Sequence, residues 1–280
     1  MFFPIIGSFL EAVGVILEKR ILKIKNIDYR NYTVFSFLGI ILASLPFLIF
    51  AWKIESGFWN FKNVLIFAFV IFAAILANLL TYYSLKRKNI GEFEPLWLMQ
   101  PLFTVLLAVL IYSSERTNWK IVLLALIASF SLVAMHWKKG HLNFDRYMWV
   151  GLLGSFFFAL ELVASKEILS YFSGFTFYFI RCSFIFIIAL LIYRPSFKPA
   201  KSAGWNILLI SLIWVLYRAI LYYGYGFYGI VYTTILFILA PVLMLVFAVV
   251  FLKERMTKRQ IITNIVILIC VVLAVVIEKI

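Results

Sequence analysis

Four ionisable side chains stand inside long apolar runs of this chain: Glu11, Glu161, Arg181 and Arg218. A charge at the centre of a membrane-spanning helix costs about 2.5–3.5 kcal/mol on insertion scales, so it faces a protein interior or a cavity rather than lipid. There, a carboxylate binds a proton or a substrate amine, and a guanidinium binds a carboxylate or phosphate. The plainer alternative is a static ion pair, such as Glu161 with Arg218, that fixes helix packing. Arg181 has a further option, snorkelling toward a headgroup.

Polar neighbours extend the candidate set. Asn78 occupies the position in the first half that Arg218 occupies in the second, and Tyr82 and Tyr222 each follow one turn later on the same helix face. Gln100 precedes Pro101, and Pro101 and Pro241 lie mid-run. A mid-helix proline removes a backbone hydrogen bond and kinks the helix; the freed carbonyl binds substrate, the kink serves as a gate, or it only shapes packing. No Walker loop, GxSxG elbow, HExxH or Cys/His cluster is present, so neither an enzyme, a metal site nor a cofactor is expected. His136 and His141 flank Trp137-Lys138-Lys139 and read as interfacial. Cys182 and Cys270 sit in apolar runs and read as packing residues rather than a disulfide framework.

Long apolar helices must position these groups. The chain is 65% hydrophobic and 14% charged, with mean hydropathy +1.05, whereas soluble domains average about 25% charged. Apolar runs at 2–22, 32–52, 63–85, 91–113, 118–137, 147–169, 173–193, 203–224, 229–252 and 258–278 are each long enough to cross a hydrocarbon core as a helix. They do not alternate as barrel strands would. The first run carries Glu11 and lacks a basic leader, so it reads as a span rather than a signal peptide. The expected fold is all-α, a polytopic membrane protein of ten spans in the plasma membrane. The net charge of +14 sits in short loops, which makes it a topology signal rather than a nucleic-acid footprint.

The spans form two units. Residues 7–22 (GSFLEAVGVILEKRIL) and 154–169 (GSFFFALELVASKEIL) share Gly, Ser, Phe, Ala, Lys, Ile and Leu at matched positions. Tyr82-Tyr83 recurs as Tyr222-Tyr223, Pro101 as Pro241, and Ser114-Glu115-Arg116 as Lys253-Glu254-Arg255. Residues 1–140 and 141–280 are therefore expected to be five-helix repeats. Equivalent loops have opposite charge character: Lys86-Arg87-Lys88 in the first half faces Gly226-Phe227-Tyr228 in the second. An odd number of spans per repeat inverts the second unit, as that reversal requires. The loops after odd-numbered spans hold 18 of the 26 Lys and Arg, which places those loops in the cytoplasm and both termini outside. The repeat breaks at the carboxylates, because Glu11 aligns with Phe158 and Glu161 with Gly14.

The mid-helix proline followed by an acidic residue closing the next loop, in both halves, resembles the EamA-type members of the drug/metabolite transporter superfamily. Ten spans in two five-helix repeats resemble that family over essentially the whole chain. Glu11-Ala12-Val13-Gly14 with Lys19 is similar to the first helix of the small multidrug-resistance proteins, where the membrane Glu binds cation and proton alternately; only Glu11 takes that role here. The resemblance implies a secondary carrier with a central cavity lined by spans 1–4 and 6–9. Family members usually have cytoplasmic termini, which the loop charges contradict. The expected activity is export of small polar metabolites by alternating access. A cavity holding both charge signs favours amino-acid-like substrates. Protons are a candidate coupling ion, and the carrier is expected to be a monomer or homodimer in the lipid bilayer. A lipid-linked-sugar flippase or a channel is the competing reading.

Overall fold

The computed structural model describes residues 2–22, 28–87, 98–136, 146–195, 204–243, 246 and 257–279. Helices account for almost all of them: α1 Phe2–Leu22, α2 Tyr29–Ala51, α3 Phe61–Arg87, α4 Met99–Ile111, α5 Trp119–His136, α6 Arg146–Leu169, α7 Gly174–Tyr193, α8 Gly204–Phe227, α9 Ile230–Phe237 and α10 Lys258–Lys279. Two short 3₁₀ turns and one isolated bridge, Ile54 with Phe172, complete the described secondary structure. Six helices (α2, α3, α6, α7, α8 and α10) are long and apolar enough to cross a membrane. The remaining spans correspond to α1, which carries Glu11 and Glu18, and to shorter apolar helices at Met99–Ile111, Trp119–Ala134 and Ile230–Leu243.

The outer surface is as apolar as the core. Ile49, Phe50, Leu110 and Leu191 are exposed, as lipid-facing side chains are. Trp52, Trp59, Trp119 and Trp205 are exposed near helix ends, where indoles favour the interface. With lipid no less apolar than leucine, helices associate through close packing at small residues. The side-chain-free faces of Gly7 and Gly154 are such places. A methyl at Gly154 would lie 2.6 Å from Oγ1 and 3.1 Å from the backbone N of Thr81 on α3.

Helices pair mainly between the halves. The contacts are α1 with α8, α3 with α6, α2 with α7 and α8, α4 with α6 and α9, α1 with α9, and α5 with α10. Pro241 marks a break in its helix. The helical hydrogen bonding of α9 ends at Ile238, which bonds back to Thr234 at 3.0 Å, and resumes at Leu239. The missing N–H of Pro241 leaves the carbonyl of Phe237 without its helical partner, which accounts for the break. Pro101 holds the equivalent place in the first half, third in α4 after the turn at Leu98, and the residues before that turn lie outside the described ones. Residues 91–97 of that run, His141, and Lys253-Glu254-Arg255 lie outside the described residues.

Candidate functional site

A cavity of about 130 Å³ lies among α1–α4 and α6–α9, and α5 and α10 contribute nothing to it. That volume is well above the roughly 10–15 Å³ that admits a single water, so the cavity has room for a small molecule. Glu11, Asn78, Tyr82, Gln100, Pro101, Arg181, Arg218 and Pro241 all line it. Glu161 and Tyr222 do not; they stand directly behind the two arginines, fully buried.

Helical spacing sets this arrangement. Arg218 and Tyr222 are one turn apart on α8, so both reach Glu161 on α6. Nε of Arg181 lies 2.9 Å from Oε1 of Glu161, although its N–H is not aligned as a donor. Nη1 of Arg218 lies 3.6 Å from Oε2, and the Tyr222 hydroxyl donates to Oε1 at 3.3 Å. Arg181 is 1% exposed, so it points inward to this carboxylate instead of snorkelling to a headgroup. Glu161 therefore bridges two guanidiniums, with Arg181 the nearer. The rings of Phe158, Tyr217 and Tyr222 surround the Arg218 guanidinium at 5.8–6.0 Å, favourable cation–π placements that fix its position.

Glu161 alone does not engage every N–H of the two guanidiniums, and both guanidiniums belong to residues that line the cavity. Nη2 of Arg181 and Nη1 of Arg218 are buried without a hydrogen-bond acceptor. Buried unpaired donors cost about 1–3 kcal/mol or more each, so an anionic group entering the cavity meets donors already desolvated and aimed. Glu11 faces Arg218 and Tyr217 from α1. Asn78 also lines the cavity, its Nδ2 bonded to the Ala74 carbonyl at 2.7 Å.

Sequence reasoning passed over Glu18. It lines the cavity and accepts hydrogen bonds from the hydroxyls of Tyr32 at 2.9 Å and Tyr82 at 3.0 Å. The available signal was its spacing: seven residues after Glu11, it lies two turns along the same face of α1. Trp214 and Tyr217, also lining residues, carried no such signal.

A set of hydrogen bonds joins the two halves where α2 ends and α7 begins. Thr176 Oγ1 accepts from the Lys53 N–H at 3.1 Å and donates to the Ala51 carbonyl at 3.1 Å, and the Glu55 N–H donates to the Tyr171 carbonyl at 2.9 Å. On the same face Glu115 accepts the N–H groups of Ile230 at 2.8 Å and Val231 at 3.0 Å, and pairs with Lys166. Gly229, with φ at 89°, turns the chain into α9 in a conformation that disfavours other residues. A side chain there would also crowd the Glu115 carboxylate, at 3.0 Å from Oε1.

Comparison with known proteins agrees with this architecture. The EamA-like transporter family model matches residues 1–136 and again 146–276. No curated protein matches the chain. Among solved structures, one titled "Crystal structure of protein" superposes with a TM-score of 0.75 at 15% identity, covering 99% of this chain and 96% of the other. That likeness concerns the fold.

Proposed function

Since the chain belongs to the EamA-like transporter family, and is thus a multi-pass membrane transporter, we propose that it exports small polar, amino-acid-like metabolites by alternating access of two inverted five-helix repeats. One observation carries the substrate class. Arg218 and Arg181 line a cavity that Glu11 also lines, and each keeps a buried guanidinium nitrogen without a hydrogen-bond acceptor. A substrate carboxylate satisfies the guanidiniums and its α-amine satisfies Glu11, so a zwitterion is matched at both ends. Between turnovers Glu11 accepts a proton, which couples flux to the proton gradient.

Repeat architecture is supported by packing. Exchanging each helix of one half with its counterpart in the other turns α1–α8 into α6–α3 and α1–α9 into α6–α4, and all four pairings occur. Gly7 faces Ile220 on α8, and Gly154 faces Leu80 on α3, at matched repeat positions. The clasp joining residues 51–55 to 171–176 is then the gate of one face, shut in this conformation. Loop charges assign that face to the exterior of the plasma membrane, together with both termini.

Counterflow in proteoliposomes tests the reading. Saturable exchange of an amino acid is expected, with at least a tenfold loss of flux in both Arg218→Ala and Glu11→Gln. Unchanged flux in these two variants refutes the assignments, and non-saturable flux points to a channel.

A further inference from the structure

The transporter reading places a zwitterion between Glu11 and the arginines but leaves one cavity carboxylate unused. With every group ionised, the site holds Glu11, Glu18 and Glu161 against Arg181 and Arg218. Glu161 is engaged by both arginines, and Glu11 faces Arg218. Glu18 has no cationic partner among the described residues. Its partners among the described residues are two phenols, and both donate to Oε1 rather than Oε2. A zwitterion adds no net charge, so compensating an ionised Glu18 in this desolvated site takes a second cation or a proton.

Resting on that transporter reading, we propose that Glu18 seats the second amine of a cationic amino acid, so that the transported substrate carries one carboxylate and two amines. The buried donors on Arg181 and Arg218 take the carboxylate. Glu11 takes the α-amine, and Glu18 takes the amine at the far end of the side chain. Seven residues of helix separate the two carboxylates by roughly 10.5 Å of axial rise. The two amines of an extended five-carbon chain lie about 7.5 Å apart, and N–H···O contacts of about 3 Å that slant across the helix axis make up the remaining 3 Å or so. Val15 lines the cavity between them, and Trp214 packs beside Gly14 on the same stretch. These side chains give the methylene stem an apolar wall. Tyr32 and Tyr82 fix the Glu18 carboxylate at the end of this track, which makes it a station of defined position.

The test is counterflow in proteoliposomes of the full chain with lysine, norleucine and cadaverine. Norleucine matches lysine in length but lacks the terminal amine; cadaverine keeps both amines and lacks the carboxylate. Wild type is expected to favour lysine over norleucine by at least about tenfold in kcat/KM, because a buried polar group left unpaired discriminates strongly. Cadaverine is expected to compete weakly with lysine, since the arginines stay unsatisfied. Glu18→Gln is expected to cut lysine transport about tenfold and to change norleucine transport less than twofold. A wild type that moves norleucine as well as lysine overturns the proposal, and that comparison needs no variant to fold. Equal loss of both substrates in Glu18→Gln overturns it too. So does uncoupling of flux from the pH gradient with an unchanged lysine-to-norleucine ratio, which would make Glu18 a proton site. Transport of neither amino acid instead refutes the amino-acid reading on which the proposal rests, while norleucine transport without discrimination leaves that reading intact.

Discussion

Glu115, in the turn after α4, accepts the backbone N–H of Ile230 at 2.8 Å, so a carboxylate from the first half caps a helix of the second. The N–H of Val231 adds a second bond at 3.0 Å, and Lys166 on α6 pairs with the same carboxylate. Three helices thus converge on a side chain that is 9% exposed. Removing it orphans two helix-terminal donors and a largely covered ammonium. Glu115→Ala is expected to cost about 2 kcal/mol. Thermal unfolding of purified protein in detergent should show a fall of several degrees. A Glu115→Ala/Lys166→Met cycle should give strong coupling, whereas additive losses would mean that the pair does not interact.

Glu161 stands between two guanidiniums, so neutralising it leaves like charges facing each other in a dry site. Glu161→Gln is expected to destabilise by about 3–5 kcal/mol, the cost of breaking a buried pair. The double variant Glu161→Gln/Arg181→Gln should recover part of that loss, because it also removes one of the stranded cations. Melting temperatures of the three proteins decide the matter; a double variant less stable than Glu161→Gln alone contradicts the bridge.

Gly154 of α6 packs closely against Thr81 of α3. Gly154→Ala pushes a methyl against the backbone of Thr81 and is expected to cost about 1–3 kcal/mol through overpacking. Gly204 opens α8 with nothing within 4 Å of its missing side chain. Gly204→Ala should be neutral or slightly stabilising. The difference between the two substitutions isolates helix–helix closeness from helix propensity.

Pro241 lines the cavity at the point where its helix breaks. Pro241→Ala restores a donor for the Phe237 carbonyl and stiffens this stretch. Substrate affinity, read as a ligand-induced thermal shift, is expected to hold within about threefold. Turnover in proteoliposomes should fall by about fivefold or more. Unaltered turnover would make the break a packing feature only.

Much of this was readable before any coordinates. Apolar run length identifies helices long enough to span a bilayer, and the cost of a buried charge singles out Glu11, Glu161, Arg181 and Arg218. Each of these signals is local: it needs only the residue and its neighbours along the chain. The repeat signature drew attention to Ser114-Glu115-Arg116 and to Lys166, but not to what they do.

Pairing between helices is a different kind of fact. Which of two arginines lies nearer Glu161, that Tyr222 braces it from behind, and that Glu115 caps a helix more than a hundred residues away all depend on helix rotation and packing. Glu18 shows the boundary most sharply. Near the end of a basic helix terminus it resembles an ordinary solvated carboxylate, and only the approach of Tyr32 from α2 and Tyr82 from α3 draws it into the cavity. Residue type alone dictates that these charges are buried in a helical membrane protein, because desolvation energy belongs to the side chain. Which charges meet follows from packing, because Coulombic and hydrogen-bond energies depend on distances that side chains separated in sequence acquire only when the helices come together.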